Sequence, residues 1–172
     1  MKYGTMMYIS LNNTNKDILM IKKRKRQNDP NSGLYTMPGG KLKNIEMGIN
    51  PAGRLESVIR ETEEETGLEV IHPFLRGVIL FDNSERIFDD WRNPDNYLVY
   101  IFQGKAFRGE LKENNEGIPL WVPEIKIPLI SKNPGDDKIY QWLKDTRNFM
   151  AVIKVKDKDE VIEQKTFIDY FY

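Results

Sequence analysis

The chain contains no cysteine and only one histidine, His72. Disulfides, thiolate catalysis and cysteine-based zinc sites are therefore excluded. A lone histidine beside Pro73 is given no catalytic role. An excess of charge is also missing, because 26 acidic residues stand against 26 basic ones. A balanced chain has no general attraction for nucleic acid or an anionic surface, so neither a nucleic-acid polymer nor a membrane is expected as a partner. No apolar run reaches the ~18–20 residues of a membrane span, and the opening "MKYGTMMYISL" lacks the apolar core of a signal peptide. A cytoplasmic protein is the expectation.

Internal repeats and low-complexity linkers are absent too. What is present suits one folded domain over residues 1–172, with 40% apolar and 30% charged residues. "MMYISL" and "DILMIKK" read as strands on either side of a turn, "NNTNK". "GLYTMPGGKL" is a short extended segment broken by Pro38, Gly39 and Gly40. A helix follows, with Asn50 as N-cap, Pro51 at its first position and Gly67 as its stop. Its apolar face is Leu55, Val58, Ile59 and Thr62. "LEVIHPFLRGVILF" and "NYLVYIFQGKAF" read as two long strands. A polar connection between them carries Phe88 and Trp91. "DDKIYQWLKDT" reads as a second helix, and "FMAVIKV" with "VIEQKTFIDYF" as a closing hairpin. The pattern predicts an α+β arrangement, one mixed sheet with helices packed on its faces.

The stretch "RETEEETG" places Glu61, Glu63, Glu64 and Glu65 on one helix. With 3.6 residues per turn, Glu61, Glu64 and Glu65 share an arc of about 100° beside the apolar stripe. Glu63 points elsewhere and is expected in solvent. Carboxylates three or four apart on a helix repel by roughly 0.2–0.5 kcal/mol per pair. Acid at a helix C-terminus also opposes the dipole. A bound divalent cation would offset both, since hard cations take clustered oxygen ligands. An ordinary solvated acidic face is the plain alternative. "MPGGK" precedes this helix, and its adjacent glycines permit close backbone approach to a ligand or simply form a turn.

Together these residues resemble the Nudix box, the signature of the Nudix hydrolases. Arg60-Glu61-Thr62-Glu63-Glu64-Glu65-Thr66-Gly67-Leu68 matches its second half, with Thr62 in an apolar slot. Gly40 and Glu46 match its first half. Thirteen residues separate Glu46 from Arg60 where the pattern has seven, and counting back from Asn50-Pro51 puts Ile49 at the first-glutamate position. The resemblance implies an α/β/α sandwich around a mixed β-sheet. It also implies hydrolysis of a nucleoside-diphosphate derivative with Mg²⁺ or Mn²⁺ as cofactor. Carried over by position, Glu61, Glu64 and Glu65 are metal ligands, and one of them or a downstream glutamate activates water. Arg60 holds a box glutamate, and the Gly39 carbonyl is a further ligand.

Outside the box the chain is similar to the MutT-like branch, whose substrate is 8-oxo-dGTP. Glu116, ahead of Trp121, falls where that branch carries another acidic metal ligand. Asp136 and Asp137 fall where some members read a purine edge, and they serve equally well as helix N-caps. "KKRKR" offers Lys23 or Arg24 to phosphate, since alternate strand residues face one way. Tyr35, Thr36 and Lys41 flank the glycine pair as further substrate-binding candidates. Phe88 and Trp91 either stack on a base or pin their loop to the core. A nucleotide substrate and a monomer or homodimer are implied. The alternatives are hydrolysis of ADP-ribose or a dinucleoside polyphosphate, and a non-catalytic nucleotide sensor on the same fold.

Overall fold

Side chains alternate across a strand, so a strand buried on both sides must be apolar at every position. The central strands of this chain come near that demand, with apolar runs over residues 6–9, 18–21 and 78–81. The computed structural model describes residues 1–25, 27, 31–43, 52–84, 95–155 and 161–168, the last six as backbone alone. In order these form β1 (Lys2–Ile9), β2 (Ile18–Lys23), β3 (Tyr35–Thr36), β4 (Gly39–Lys41), α1 (Ala52–Thr66), β5 (Leu68–Ile71) and β6 (Phe74–Asp82). They continue with β7 (Tyr97–Gly104), β8 (Ala106–Gly109), β9 (Gly117–Val122), a 3₁₀ turn (Glu124–Leu129), α2 (Asp136–Leu143), β10 (Asn148–Val155) and β11 (Val161–Ile168).

Among the described residues the largest sheet has six strands in the order β11-β10-β6-β7-β1-β4. It is mixed: β1 runs parallel to β7 and β10 parallel to β6, while the other pairs are antiparallel. The sequence predicts one sheet, and the structure adds two small ones, β3-β2-β9 and β5-β8. Met7 and Ile9 of β1, Leu19 of β2 and Phe102 of β7 join a core cluster with Val58 of α1. Their strand neighbours Tyr8, Ile18, Met20, Val99 and Ile101 join another cluster with Ile139, Tyr140, Trp142 and Leu143 of α2. The two helices therefore cover opposite sides of the strand layer, as the expected α/β/α sandwich requires.

Two expectations need correction. "LEVIHPFLRGVILF" is two strands, not one, because His72 has a positive φ of 47° and Pro73 follows it. "NYLVYIFQGKAF" likewise divides, between Gly104 and Ala106, so that its second part pairs with β5. Both chains thus leave the large sheet at the same end and form the β5-β8 ribbon. Strand β9, Gly117–Val122, has no counterpart among the sequence expectations. The predicted closing hairpin is present, with β10 and β11 paired from Asn148↔Ile168 to Val155↔Val161. No helix among the described residues is long and apolar enough to cross a membrane.

Helix α1 ends as its sequence demands. Gly67 takes the left-handed conformation, φ 78°, and its N–H donates to the Glu63 carbonyl at 2.8 Å. Thr62 and Thr66 are fully buried, each hydroxyl donating to the carbonyl four residues earlier at 2.6 Å. That bond is what lets a threonine occupy an apolar stripe without an orphaned hydroxyl. The expected start at Asn50 and Pro51 lies outside the described residues.

Candidate active site

The site lies where the C-terminal half of α1 crosses β4 and the end of β2. Lys23 shares the strand parity of Leu19, so it projects to the α1 side. Register then brings Glu116 alongside, because Lys23 pairs with Gly117 across β2 and β9, and the Arg24 N–H donates to the Glu116 carbonyl at 3.0 Å. From the helix, Glu61 and Glu65 lie four apart over consecutive residues of β4. The Gly39 N–H donates to Glu65 Oε2 at 2.8 Å. A Cβ built at Gly40 would stand 2.5 Å from Glu61 Oε2. Only glycine leaves room for that carboxylate, so the glycine pair is fitted to the helix as well as to a turn.

Each carboxylate meets a cationic side chain. The Lys23 ammonium lies 2.6 Å from Glu65 Oε1 and 3.5 Å from Glu116 Oε2. The Arg60 guanidinium lies 2.7 Å from Glu61 and 3.1 Å from Glu64. Glu65 is only 4% exposed, and this burial lifts its carboxyl above the ordinary range although Lys23 and the Gly39 amide oppose the shift. Burial also works against the Lys23 charge, but attraction to Glu65 and then Glu116 outweighs it and holds the ammonium's pKa up. Contacts of this length to an ammonium and an amide favour the ionised pair at neutral pH.

Among the described residues no three carboxylates converge tightly enough to hold a cation in this arrangement. The donor set nevertheless suits one. It is all oxygen, it includes a desolvated carboxylate, and it sits over a strand whose missing Cβ makes space. Glu61, Glu64, Glu65 and Glu116 could hold a hard divalent ion once the Lys23 ammonium between Glu65 and Glu116 gives way. Gly39 reaches the site through its amide.

The remaining candidates divide. Arg24 turns from the helix to the connection before β9, its Nε donating to the Asn114 carbonyl at 2.8 Å and its guanidinium pairing with Glu113 at 2.9 Å. Tyr35 packs half-buried against the α2-side core, with the Lys22 ammonium 5.6 Å from its ring centroid. The Thr36 hydroxyl donates to the Met37 carbonyl at 2.6 Å. Lys41 is exposed on β4, paired with Gly4 of β1, and its charge is felt by Asp95. The N-cap reading of the paired aspartates is corrected. Gly135, φ 88°, is the N-cap, and Asp136 and Asp137 occupy the first turn with no side-chain capping bond. Asp136 is buried, which pushes its carboxyl up to about 7, while Asp137 is paired to Lys132 at 3.1 Å. Glu46, Ile49, Phe88 and Trp91 lie outside the described residues.

One residue of this region escaped the sequence reading. Asn114 accepts the N–H groups of Glu116 and Gly117 on its Oδ1, at 2.8 and 3.1 Å, and its amide donates to the Glu64 carbonyl at 2.7 Å. It therefore ties the Glu116 turn to the last turn of α1. The signal was an Asn two residues before a Glu-Gly, a sequence suited to an Asx-turn.

Comparisons with known proteins identify the fold and the family. The NUDIX domain family model matches residues 3–143. A Bacillus subtilis protein, the uncharacterized Nudix hydrolase YvcI, is 29% identical over 133 residues, covering 76% of this chain and 73% of its own. Among solved structures, the MutT protein of Bacillus halodurans superposes with a TM-score of 0.72 at 23% identity, covering 97% of both chains. The Nudix domain of Shewanella oneidensis NrtR, solved in complex with ADP ribose, gives 0.60 at 10% identity over 83% of this chain and 85% of its own. With its acidic helix laid over a glycine pair and a family match spanning most of its length, the chain belongs to the Nudix family and is a Nudix hydrolase, an enzyme acting on pyrophosphate bonds.

Proposed function

We propose that the chain hydrolyses a nucleoside triphosphate to monophosphate and pyrophosphate with Mg²⁺ or Mn²⁺, and that 8-oxo-dGTP is the first substrate to test. The observation that carries this reading is the buried Glu65 carboxylate, drawn toward Glu116 by Lys23 and seated on the Gly39 amide. It supplies a preorganised oxygen donor beside a backbone that a diphosphate can approach closely. In this reading Glu61, Glu64, Glu65 and Glu116 hold the cation. Arg60 keeps Glu61 and Glu64 oriented, and Lys23 and Lys41 bind phosphate oxygens. When bound, the cation neutralises phosphate charge and activates water for attack. One carboxylate of the cluster takes the proton of that water. Asp136, whose carboxyl is pushed up to about 7 by burial, and Asp137 are the residues assigned to a base edge in this reading.

ADP-ribose is the second reading, because the similar Nudix domain of NrtR binds it. Chromatographic separation of the products formed with Mg²⁺ from 8-oxo-dGTP, the ordinary nucleoside triphosphates, ADP-ribose and a dinucleoside polyphosphate tests both, because a triphosphate yields monophosphate and pyrophosphate whereas ADP-ribose yields AMP and a ribose phosphate. Selective release of pyrophosphate from 8-oxo-dGTP supports the first. Preference for ADP-ribose replaces it, and binding without turnover of any compound favours a nucleotide sensor.

A further inference from the structure

A buried carboxylate cannot stay ionised without compensation, because removal from water penalises its charge. Glu65 finds that compensation in a single ammonium. Lys23 reaches it from another element, with its side chain 19% exposed, and the same ammonium faces Glu116 from the far side. Oε2 of Glu65 is already taken by the Gly39 amide, so Oε1 is the oxygen the ammonium holds. Lysine suits a replaceable contact. Its charge is compact and its stem flexible, whereas an arginine fork would lock the pair through two parallel bonds.

We propose that Lys23 is the site's own counter-ion: its ammonium holds the place between Glu65 and Glu116 that a divalent cation takes during turnover, so metal enters by expelling it. The inference rests on the reading of Glu65 and Glu116 as metal ligands. Two cations competing for one carboxylate oxygen are linked ligands, so each weakens the other by the same factor. The nucleotide-free enzyme consequently binds divalent ions weakly. The expelled ammonium becomes available to an anionic substrate as the metal arrives.

Binding of Mn²⁺ to the nucleotide-free protein, followed through the resonance of free Mn²⁺, tests this. K23M is expected to bind Mn²⁺ on the order of 10-fold more tightly than the wild type. K23R, which restores a cation and holds the carboxylate more firmly, binds Mn²⁺ no more tightly than the wild type. K22M also removes one positive charge, but its ammonium sits over the Tyr35 ring, and it leaves affinity unchanged. Equal or weaker Mn²⁺ binding by K23M overturns the proposal, as does a K22M effect as large as that of K23M. E65Q separates the layers. If it binds Mn²⁺ like the wild type, the metal-site reading itself fails. If E65Q loses binding while K23M matches the wild type, only the counter-ion role falls. A second measurement needs no variant. Acylation of the Lys23 amine, quantified by peptide mass spectrometry, should accelerate several-fold on adding Mn²⁺ while Lys22 does not, and an unchanged Lys23 rate overturns the proposal.

Discussion

The Glu61 carboxylate lies against Gly40 so closely that a Cβ there would stand 2.5 Å from Oε2 and 2.7 Å from the carboxyl carbon. The atoms in the way are the end of a flexible side chain, so a larger residue displaces Glu61 more readily than it disrupts the strand. Gly40→Ala should therefore lower stability by no more than about 1–3 kcal/mol. Turnover should fall roughly 10²-fold, the usual consequence of moving a catalytic group by about an ångström. Thermal melts alongside steady-state pyrophosphate release check the split. Equal, proportionate losses in both would mean that Gly40 serves the fold alone.

Glu64→Gln and Glu65→Gln should separate along the same line. Both are expected to reduce turnover by roughly 10²-fold or more. Their stabilities should differ. The Glu64 side chain is 59% exposed, so its variant should stay within about 0.5 kcal/mol of the wild type. Glu65→Gln removes the anion facing the Lys23 ammonium and should cost about 1–3 kcal/mol. Near-native turnover in either variant would remove that residue from the proposed metal set.

Asn114 tests whether the Glu116 turn must be tied to α1. Asn114→Ala removes the acceptor of two N–H groups and the donor to the Glu64 carbonyl. Loss of such a support typically lowers metal affinity or activity by about 10–100-fold. Mn²⁺ binding and kcat should both fall while the circular-dichroism spectrum is retained.

The buried Asp136 makes stability depend on pH with a definite sign. Its folded pKa, about 7, is raised above the ordinary aspartate value of 3.8 by burial. Between those values the folded state keeps a proton that the unfolded state has released. The contribution of this group is therefore full at low pH and is lost as pH rises through about 7. The loss is about 4 kcal/mol at most, from 1.36 kcal/mol per pKa unit. Chemical denaturation between pH 4 and pH 8 should show this decline in the wild type and a flatter profile in Asp136→Asn. An unchanged profile in the variant would assign the pH dependence elsewhere.

Much of the fold was legible because periodicity reports burial directly. The runs "MMYISL", "DILMIKK" and "FMAVIKV" became strands, and "RLESVIRETEEETG" carried its helix period and its glycine stop into α1. Where the reading went astray, the deciding property was not periodic. The break at His72 depends on a backbone conformation of positive φ, which histidine does not announce. Strand β9, which the sequence analysis does not assign, takes its partner and register from β2.

By itself the sequence determined the family, the acidic helix and the register that puts Glu61, Glu64 and Glu65 on one arc, because helix geometry converts spacing into direction without reference to the rest of the chain. The Arg60 pairs with Glu61 and Glu64 are local to the helix, but the cation that Glu65 and Glu116 meet was decided only in three dimensions. Lys23 lies 42 residues from Glu65 and 93 from Glu116, and only the pairing of β2 with β9 and the packing of α1 over them bring these three together. The pairing of β2 with β9 brought Arg24 to Asn114 and Glu113, and the packing of α2 on the other side of the layer removed Asp136 from water. Contacts between distant segments depend on how layers stack, and no local pattern encodes that.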